Sequence, residues 1–220
     1  MDARYSKCCG GKTELFENVW EPFPHGAIIS IFDYKFAPDE YDRDLKKEKC
    51  AVRWIDDQPN SFCNTNDEAL LSNILIDFDT KTNNFYRWQI EYSQQELQNL
   101  INNNLNLNFG WILDLLPVER GESGRLIKLK IIGTNKTFTI GKELEIRRVL
   151  SKTHLYSSAF YAEKKNIENG VPQKFILHGA GWGHGVGLCQ IGAAVMAKQK
   201  YRFDEILLHY FPKAIIHKAY

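Results

Sequence analysis

The chain of 220 residues has little excess charge of either sign: 28 lysines and arginines stand against 27 acids, a formal net charge of +1. So balanced a composition has no electrostatic hold on nucleic acid or anionic lipid, and neither is expected as a partner. No apolar run approaches the roughly 20 residues that span a bilayer, so no transmembrane segment is expected. The start, MDARYSKCCGGKTE, lacks the charged-then-apolar layout of a signal peptide. Neither G-x-G-x-x-G nor G-x-x-x-x-G-K-S/T occurs, which removes the two standard nucleotide cradles. The five cysteines, Cys8, Cys9, Cys50, Cys63 and Cys189, are odd in number and include no C-x-x-C pair. They suggest neither a disulfide framework nor a zinc ribbon, and at least one thiol stays unpaired.

What is present reads as α+β, a mostly antiparallel sheet with several short helices, forming one domain with an inserted helical segment near residues 38–108. GAIISIFDY has the composition of a strand. In TNDEALLSNILIDF, Leu70, Leu71, Ile74 and Leu75 fall at helical spacing behind the capping residues Thr65, Asn66 and Asp67. SQQELQNLINN has Ser93 and Glu96 at capping-box spacing and an apolar face of Leu97, Leu100 and Ile101. GRLIKLKIIG alternates, with Ile127, Leu129 and Ile131 opposite Lys128 and Lys130, as a half-buried antiparallel strand does. KTFTI is its expected partner across the turn GTNK. Further on, GKELEIRRVL reads as a helix, QKFILHG as a strand, AAVMAKQK and FDEILLHYF as helices, and AIIHKAY as a closing strand.

The segment HGAGWGHGVGLCQIGA places glycine at 179, 181, 183, 185 and 187, directly before a helix. Alternate glycine permits close approach of a ligand or of a neighbouring strand. In extended backbone Trp182 and His184 face the same way, and an aromatic plane beside an imidazole suits a sugar ring; the imidazole can also exchange a proton near neutral pH. A structural role for His184 stands equally open. His178 and His184 lack a standard metal-ligand spacing, while His209 and His217 read as packed or surface residues. Near the start, YSKCCGGKTE sets a serine, two thiols and a Gly-Gly turn within a few residues. Free thiols, a Cys/His nucleophile, or a metal site using Cys8, Cys9 or His25 are all compatible with it. Around GESGR, Glu119, Arg120, Glu122 and Arg125 read as a charged hairpin edge, or as a cationic grip on a carboxylate or sugar substituent.

YSKCCGGKTE, RGESGRLIKLKIIG, LYSSAF, GAGWGHGVGLCQIGAAVMA and FDEILLHYFP, in that order, resemble the SpoIID/LytB family, cell-wall proteins related to stage II sporulation protein D and the amidase enhancer LytB. The resemblance covers residues 4–36 and 112–220. It implies a lytic transglycosylase acting on peptidoglycan glycan strands, in which one carboxylic acid protonates the glycosidic oxygen and the muramyl 6-hydroxyl closes an anhydro ring. Carried over by motif, Trp182, Gly183, His184, Gly185 and Gln190 line the glycan cleft, and Ser6, Gly10 and Gly11 form its facing wall. Zinc at Cys8 and Cys9 is implied as well, because some members hold it in the equivalent region.

The family's catalytic glutamate lies upstream of the serine and Gly-Gly segment, in a helix resembling E-A-L-K-A-Q. Nothing like it occurs here, so residues 1–220 are expected to be an N-terminally incomplete SpoIID/LytB-like domain without its general acid. Glu14 and Glu17, close to the matching motif, are expected to be surface residues. The alternative is a noncatalytic cell-wall-binding or amidase-enhancer module with a cell-wall amidase as partner, and a metal-dependent hydrolase ranks third. By the resemblance the location is the cell envelope, periplasmic or extracellular.

Overall fold

A computed structural model describes residues 4–20, 22–34, 44–75 and 84–217. In chain order these form β1 (Tyr5–Ser6), α1 (Phe16–Val19), α2 (Glu48–Asp57), α3 (Glu68–Ile74), β2 (Arg87–Ser93), α4 (Gln94–Leu105), β3 (Ile112–Arg120), β4 (Leu126–Gly133), β5 (Thr137–Ile140), α5 (Glu143–Val149), β6 (Phe160–Glu168), β7 (Val171–Ala180), β8 (Leu188–Cys189), α6 (Gln190–Lys198) and α7 (Phe203–Tyr210). The class is α+β with antiparallel sheets, as the sequence suggests; the short β1–β8 pair alone runs parallel. Among the described residues no helix is long and apolar enough to cross a membrane.

Two compact units share the chain, one comprising residues 1–40, 59–86 and 181–220, the other residues 41–58 and 87–180. The stretch 38–108 read as an insertion is thus divided between them.

The second unit holds two three-stranded antiparallel sheets, ordered β2-β7-β6 and β3-β4-β5. Its core is built by α4 and α5 with the strands, through fully buried Leu97, Ile101, Phe109, Ile112, Leu126, Leu129 and Ile146. The α4 N-terminus forms as its sequence dictates. Ser93 Oγ accepts from the Glu96 N–H, and the Glu96 carboxylate accepts from the Ser93 N–H at 2.8 Å, a reciprocal cap. In β4, Leu129 and Ile131 are buried as expected, but Leu126 is buried too and Ile127 only partly. The register irregularities of β3 at Pro117–Arg120 lie opposite this end of β4 and break the two-residue period. Arg120 and Arg125, read as a hairpin edge, are 4% and 1% exposed. The Arg120 guanidinium donates to Glu48 at 2.6 and 2.8 Å and to the carbonyls of Gly124 and Phe160, a structural tie that leaves it no role in gripping a ligand.

The first unit buries Phe62, Leu71, Phe85, Ile191, Met196 and Tyr210 together with four cysteines. Asp67 caps α3 by accepting from the Leu70 N–H at 3.1 Å. Two expectations fail here. GAIISIFDY forms no strand: it opens on a turn, ends on a bend and among the described residues makes one bridge, Lys12 to Phe32, with backbone hydrogen bonds to Gly11 and Thr13 instead of a ladder. Residues 214–217 of the expected closing strand are irregular: Ile215 is 78% exposed and no strand pairs with it among the described residues. The rest of that strand, 218–220, lies outside the described residues.

Candidate metal centre and glycine loop

The first unit brings the chain's start against the glycine segment by backbone pairing. Tyr5 and Ser6 register with Leu188 and Cys189, Cys8 bridges Trp182, and Glu14 bridges Val186. Such close approach needs bare backbone on one side. Gly181, Gly183, Gly185 and Gly187 all have positive φ, between 75° and 94°, a region other L-residues enter only with strain. At Gly187 a Cβ would overlap the Arg4 carbonyl. The expected facing wall therefore lies directly against the loop, with Ser6 only 5% exposed and Gly10 and Gly11 turning the chain at φ 80° and 103°.

The alternating turns also undo the two-residue period, so Trp182 and His184 take different neighbours. Trp182 lies 5.0 Å from Phe85, with the Lys7 ammonium 5.2 Å from its ring. His184 packs on Trp20 with ring centroids 4.8 Å apart and planes at 64°, and Trp20 carries the Arg4 guanidinium 4.7 Å from its ring. His184 Nδ1 accepts from the Val186 N–H at 3.0 Å. A neutral imidazole with Nδ1 accepting holds its proton on Nε2, which makes Nε2 a hydrogen-bond donor. Trp182, Gly183 and His184 are half-buried; Gly185 is buried, and Gln190 opens α6 half-buried. His178 belongs to the other unit, where it stacks on Tyr161 and pairs with Glu163 at 3.2 Å.

Glu14 is not a surface residue: it is 1% exposed, pinned by the hydrogen bond from its N–H to the Gly185 carbonyl. Its Oε1 accepts from the Leu15 N–H at 2.9 Å and the Asn18 amide at 2.8 Å. That arrangement braces the short α1 through one carboxylate oxygen, Oε1, acting as an acceptor. Glu17 is half-buried.

Behind the loop lies the unit's densest group of chemistry. Cys9, Cys63, Cys189 and Asp33 place one potential ligand atom each within 4.8 Å of all the others, and all four residues are buried. Cys9 Sγ and Cys63 Sγ stand 3.6 Å apart; Ser61 Oγ is 3.3 Å from Cys63 Sγ; the Cys9 N–H donates to Cys189 Sγ at 3.2 Å. Cys8 joins the network through Cys189 and Cys63 but lies outside the four-residue set. His25 is elsewhere, against Phe16 at 5.4 Å. Cys50, on α2, belongs to the second unit.

Burial pushes the Cys8 and Cys9 thiols well up, and their hydrogen bonds to Cys189 and Cys63 add to this. Burial also pushes up Cys63 and Cys189, and Cys189 adds to this at Cys63; the net direction is nevertheless down for both, through hydrogen bonds from Cys8 and Cys9 at Cys63 and from Cys63, Cys8 and Cys9 at Cys189, which falls the further. Asp33 accepts from the Tyr210 hydroxyl at 2.6 Å and from the Cys63 N–H at 3.1 Å, with His209 Nε2 at 3.5 Å. Burial, then the neighbouring Cys63, raises its carboxyl to about 7.

Of these residues the sequence singles out Cys8 and Cys9 only. Cys63, Cys189 and Asp33 have no local ligand spacing, and the unexplained thiol count was the one signal pointing to them. Trp20, inside NVWEPF, carried no signal.

A family model described as a domain of unknown function, DUF8618, matches residues 14–187. An uncharacterized protein of Brachyspira hyodysenteriae is 36% identical over 90 residues, covering 41% of this chain and 22% of that protein. The match thus spans about a fifth of the relative's length.

Proposed function

The chain belongs to the DUF8618 family of unknown function, and from that premise we propose that it binds glycan strands of peptidoglycan along its glycine loop. The observation that carries this reading is the pairing of half-buried His184 with Trp20 on a backbone stripped of side chains. Aromatic rings pack against the C–H face of a sugar, and an imidazole hydrogen-bonds a hydroxyl. The motif resemblance to SpoIID/LytB proteins selects peptidoglycan among glycans. Peptidoglycan lies outside the cytoplasmic membrane, so the proposal also places the chain in the cell envelope.

Cleavage of the lytic transglycosylase type requires a protonated carboxylic acid at the glycosidic oxygen. Glu14, packed against the loop, spends one oxygen on the α1 backbone and on Asn18, and the reading assigns these residues binding and not the acid.

Cosedimentation with purified sacculi and with glycan strands freed of stem peptides tests the reading. The chain is expected to pellet with both, and His184→Ala or Trp20→Ala to weaken binding about tenfold, equivalent to ~1.4 kcal/mol. A chain that stays in the supernatant, or variants that bind as well as the parent, overturns it. Anhydro-muramyl ends released from those strands would establish cleavage; binding without them favours the amidase-enhancer alternative.

A further inference from the structure

We propose that Cys9, Cys63, Cys189 and Asp33 form a closed, four-coordinate zinc site that fastens the first unit together. Buried cysteines by themselves pack as small apolar groups and need no metal. Asp33 does not fit that account. It is 0% exposed and lies among thiols, and its ion-pairing neighbour among the described residues is the His209 imidazole at 3.5 Å. A carboxylate so placed is costly unless a cation compensates it.

The geometry suits one small ion. Thiolates about 2.3 Å from a tetrahedral zinc stand about 3.8 Å from one another, close to the 3.6 Å between Cys9 Sγ and Cys63 Sγ. A donor set gathered within 4.8 Å fits a mononuclear ion better than an iron–sulfur cluster, whose body separates its ligands. Three sulfurs and one oxygen select a soft or borderline metal over magnesium or calcium.

The surroundings orient the ligands as metal sites require. The Cys9 N–H points at Cys189 Sγ, Ser61 Oγ contacts Cys63 Sγ, and the Tyr210 hydroxyl and Cys63 N–H hold the two Asp33 oxygens. Cys189 is also the N-cap residue of the nine-residue α6, where the helix dipole favours a thiolate. With exposures of 2%, 0%, 1% and 0% for Cys9, Asp33, Cys63 and Cys189, no position is open to a substrate. The site is therefore structural: it joins four segments distant in the chain, and binding free energy becomes folding free energy.

The test is metal content of the full chain, purified without chelator, by elemental mass spectrometry. One zinc per chain is expected. Exchange into cobalt should give thiolate-to-metal charge transfer in the near ultraviolet and the intense visible bands of tetrahedral Co(II). Cys9→Ser, Cys63→Ser, Cys189→Ser and Asp33→Asn should each lower zinc affinity at least about tenfold, while Cys8→Ser and Cys50→Ser retain the ion. Because removing a ligand removes folding free energy, circular dichroism accompanies each variant, and the cobalt spectrum of the unaltered chain stands independently of the variants. A metal-free protein with a featureless cobalt titration overturns the proposal, as does a Cys9–Cys63 disulfide in the intact mass, or iron in place of zinc. Loss of metal in Cys8→Ser with retention in Asp33→Asn overturns the ligand set.

Discussion

Tyr210 donates its hydroxyl hydrogen to Asp33 Oδ1 at 2.6 Å, tying the end of α7 to a segment 177 positions earlier. Both side chains are fully buried. Tyr210→Phe keeps the ring's packing and deletes only the donor, leaving one Asp33 oxygen poorly satisfied. Urea unfolding is expected to show a loss of about 1–3 kcal/mol with an unchanged slope. An unaltered midpoint would show that Asp33 does not depend on this bond.

Gly192 makes the same contact possible from the other side. It lies within α6, where alanine ordinarily stabilises a helix by about 1 kcal/mol. Here a Cβ would overlap the Tyr210 hydroxyl and stand 2.8 and 2.9 Å from the two Asp33 oxygens. Gly192→Ala is therefore expected to reverse the usual sign and destabilise by about 1–3 kcal/mol, because the buried pair has to move. A thermal midpoint at or above the parent's would contradict this.

What the sequence made legible follows from how far each feature reaches along the chain. The capping box of Ser93 and Glu96 and the Asp67 cap are local, and both helices form where those residues place them. The β4–β5 pairing is equally local, set by the turn between the strands. Glu14, by contrast, is buried because its backbone is bonded to Gly185, and Cys9, Asp33, Cys63 and Cys189 meet only after four separate segments have packed. No periodicity within a window of residues reports such contacts. The irregular 214–217 segment shows the converse: strand-like composition does not by itself make a strand where no neighbour pairs with it among the described residues.

In the second unit Arg120 is the side chain whose loss should be felt most. It serves the Glu48 carboxylate and the carbonyls of Gly124 and Phe160 at once, all within 2.8 Å. Arg120→Met preserves much of the stem's packing but strands two carbonyls and one half-exposed carboxylate. A loss of about 3 kcal/mol is expected, toward the lower end for a buried ion pair because Glu48 is 44% exposed. Arg120→Lys should recover only part of it, since an ammonium cannot reproduce the planar fork. Full recovery by lysine in denaturant titrations would argue for simple charge pairing.

Tyr92 makes the alkaline limb of stability testable. Its hydroxyl donates to the Leu150 carbonyl at 2.7 Å, and burial, with Tyr156 and Glu96 adding, pushes the phenol up to about 12. In the unfolded chain a tyrosine titrates near about 10. Between those values the native state keeps a proton that the unfolded state has lost. The contribution is therefore complete below about pH 10 and is lost as the pH rises through about 12. Tyr92→Phe is expected to cost about 1 kcal/mol at neutral pH, with the gap to the parent closing over that alkaline window. A gap constant with pH would show that the phenol does not titrate as its burial dictates.

Two glycines of the loop separate folding from recognition. At Gly187, with φ 75°, a Cβ would overlap the Arg4 carbonyl and come 2.9 Å from the carbonyl carbon, and backbone cannot swing away as a side chain can. At Gly183, with φ 94°, the nearest atom is Ser6 Cβ at 3.3 Å. Both alanine variants carry roughly 1–2 kcal/mol of left-handed backbone strain. Only Gly187→Ala must also break the pairing of Leu188 with Arg4, whose hydrogen bond measures 3.0 Å. Gly187→Ala is expected to lower the thermal midpoint clearly more than Gly183→Ala. Gly183→Ala, folded but with a methyl group between Trp182 and His184, should bind glycan strands more weakly than its stability loss explains. Equal midpoints for the two variants would mean that the strand pairing at Arg4 contributes little. Gly183→Ala binding sacculi as the parent does would move the glycan surface away from this part of the loop.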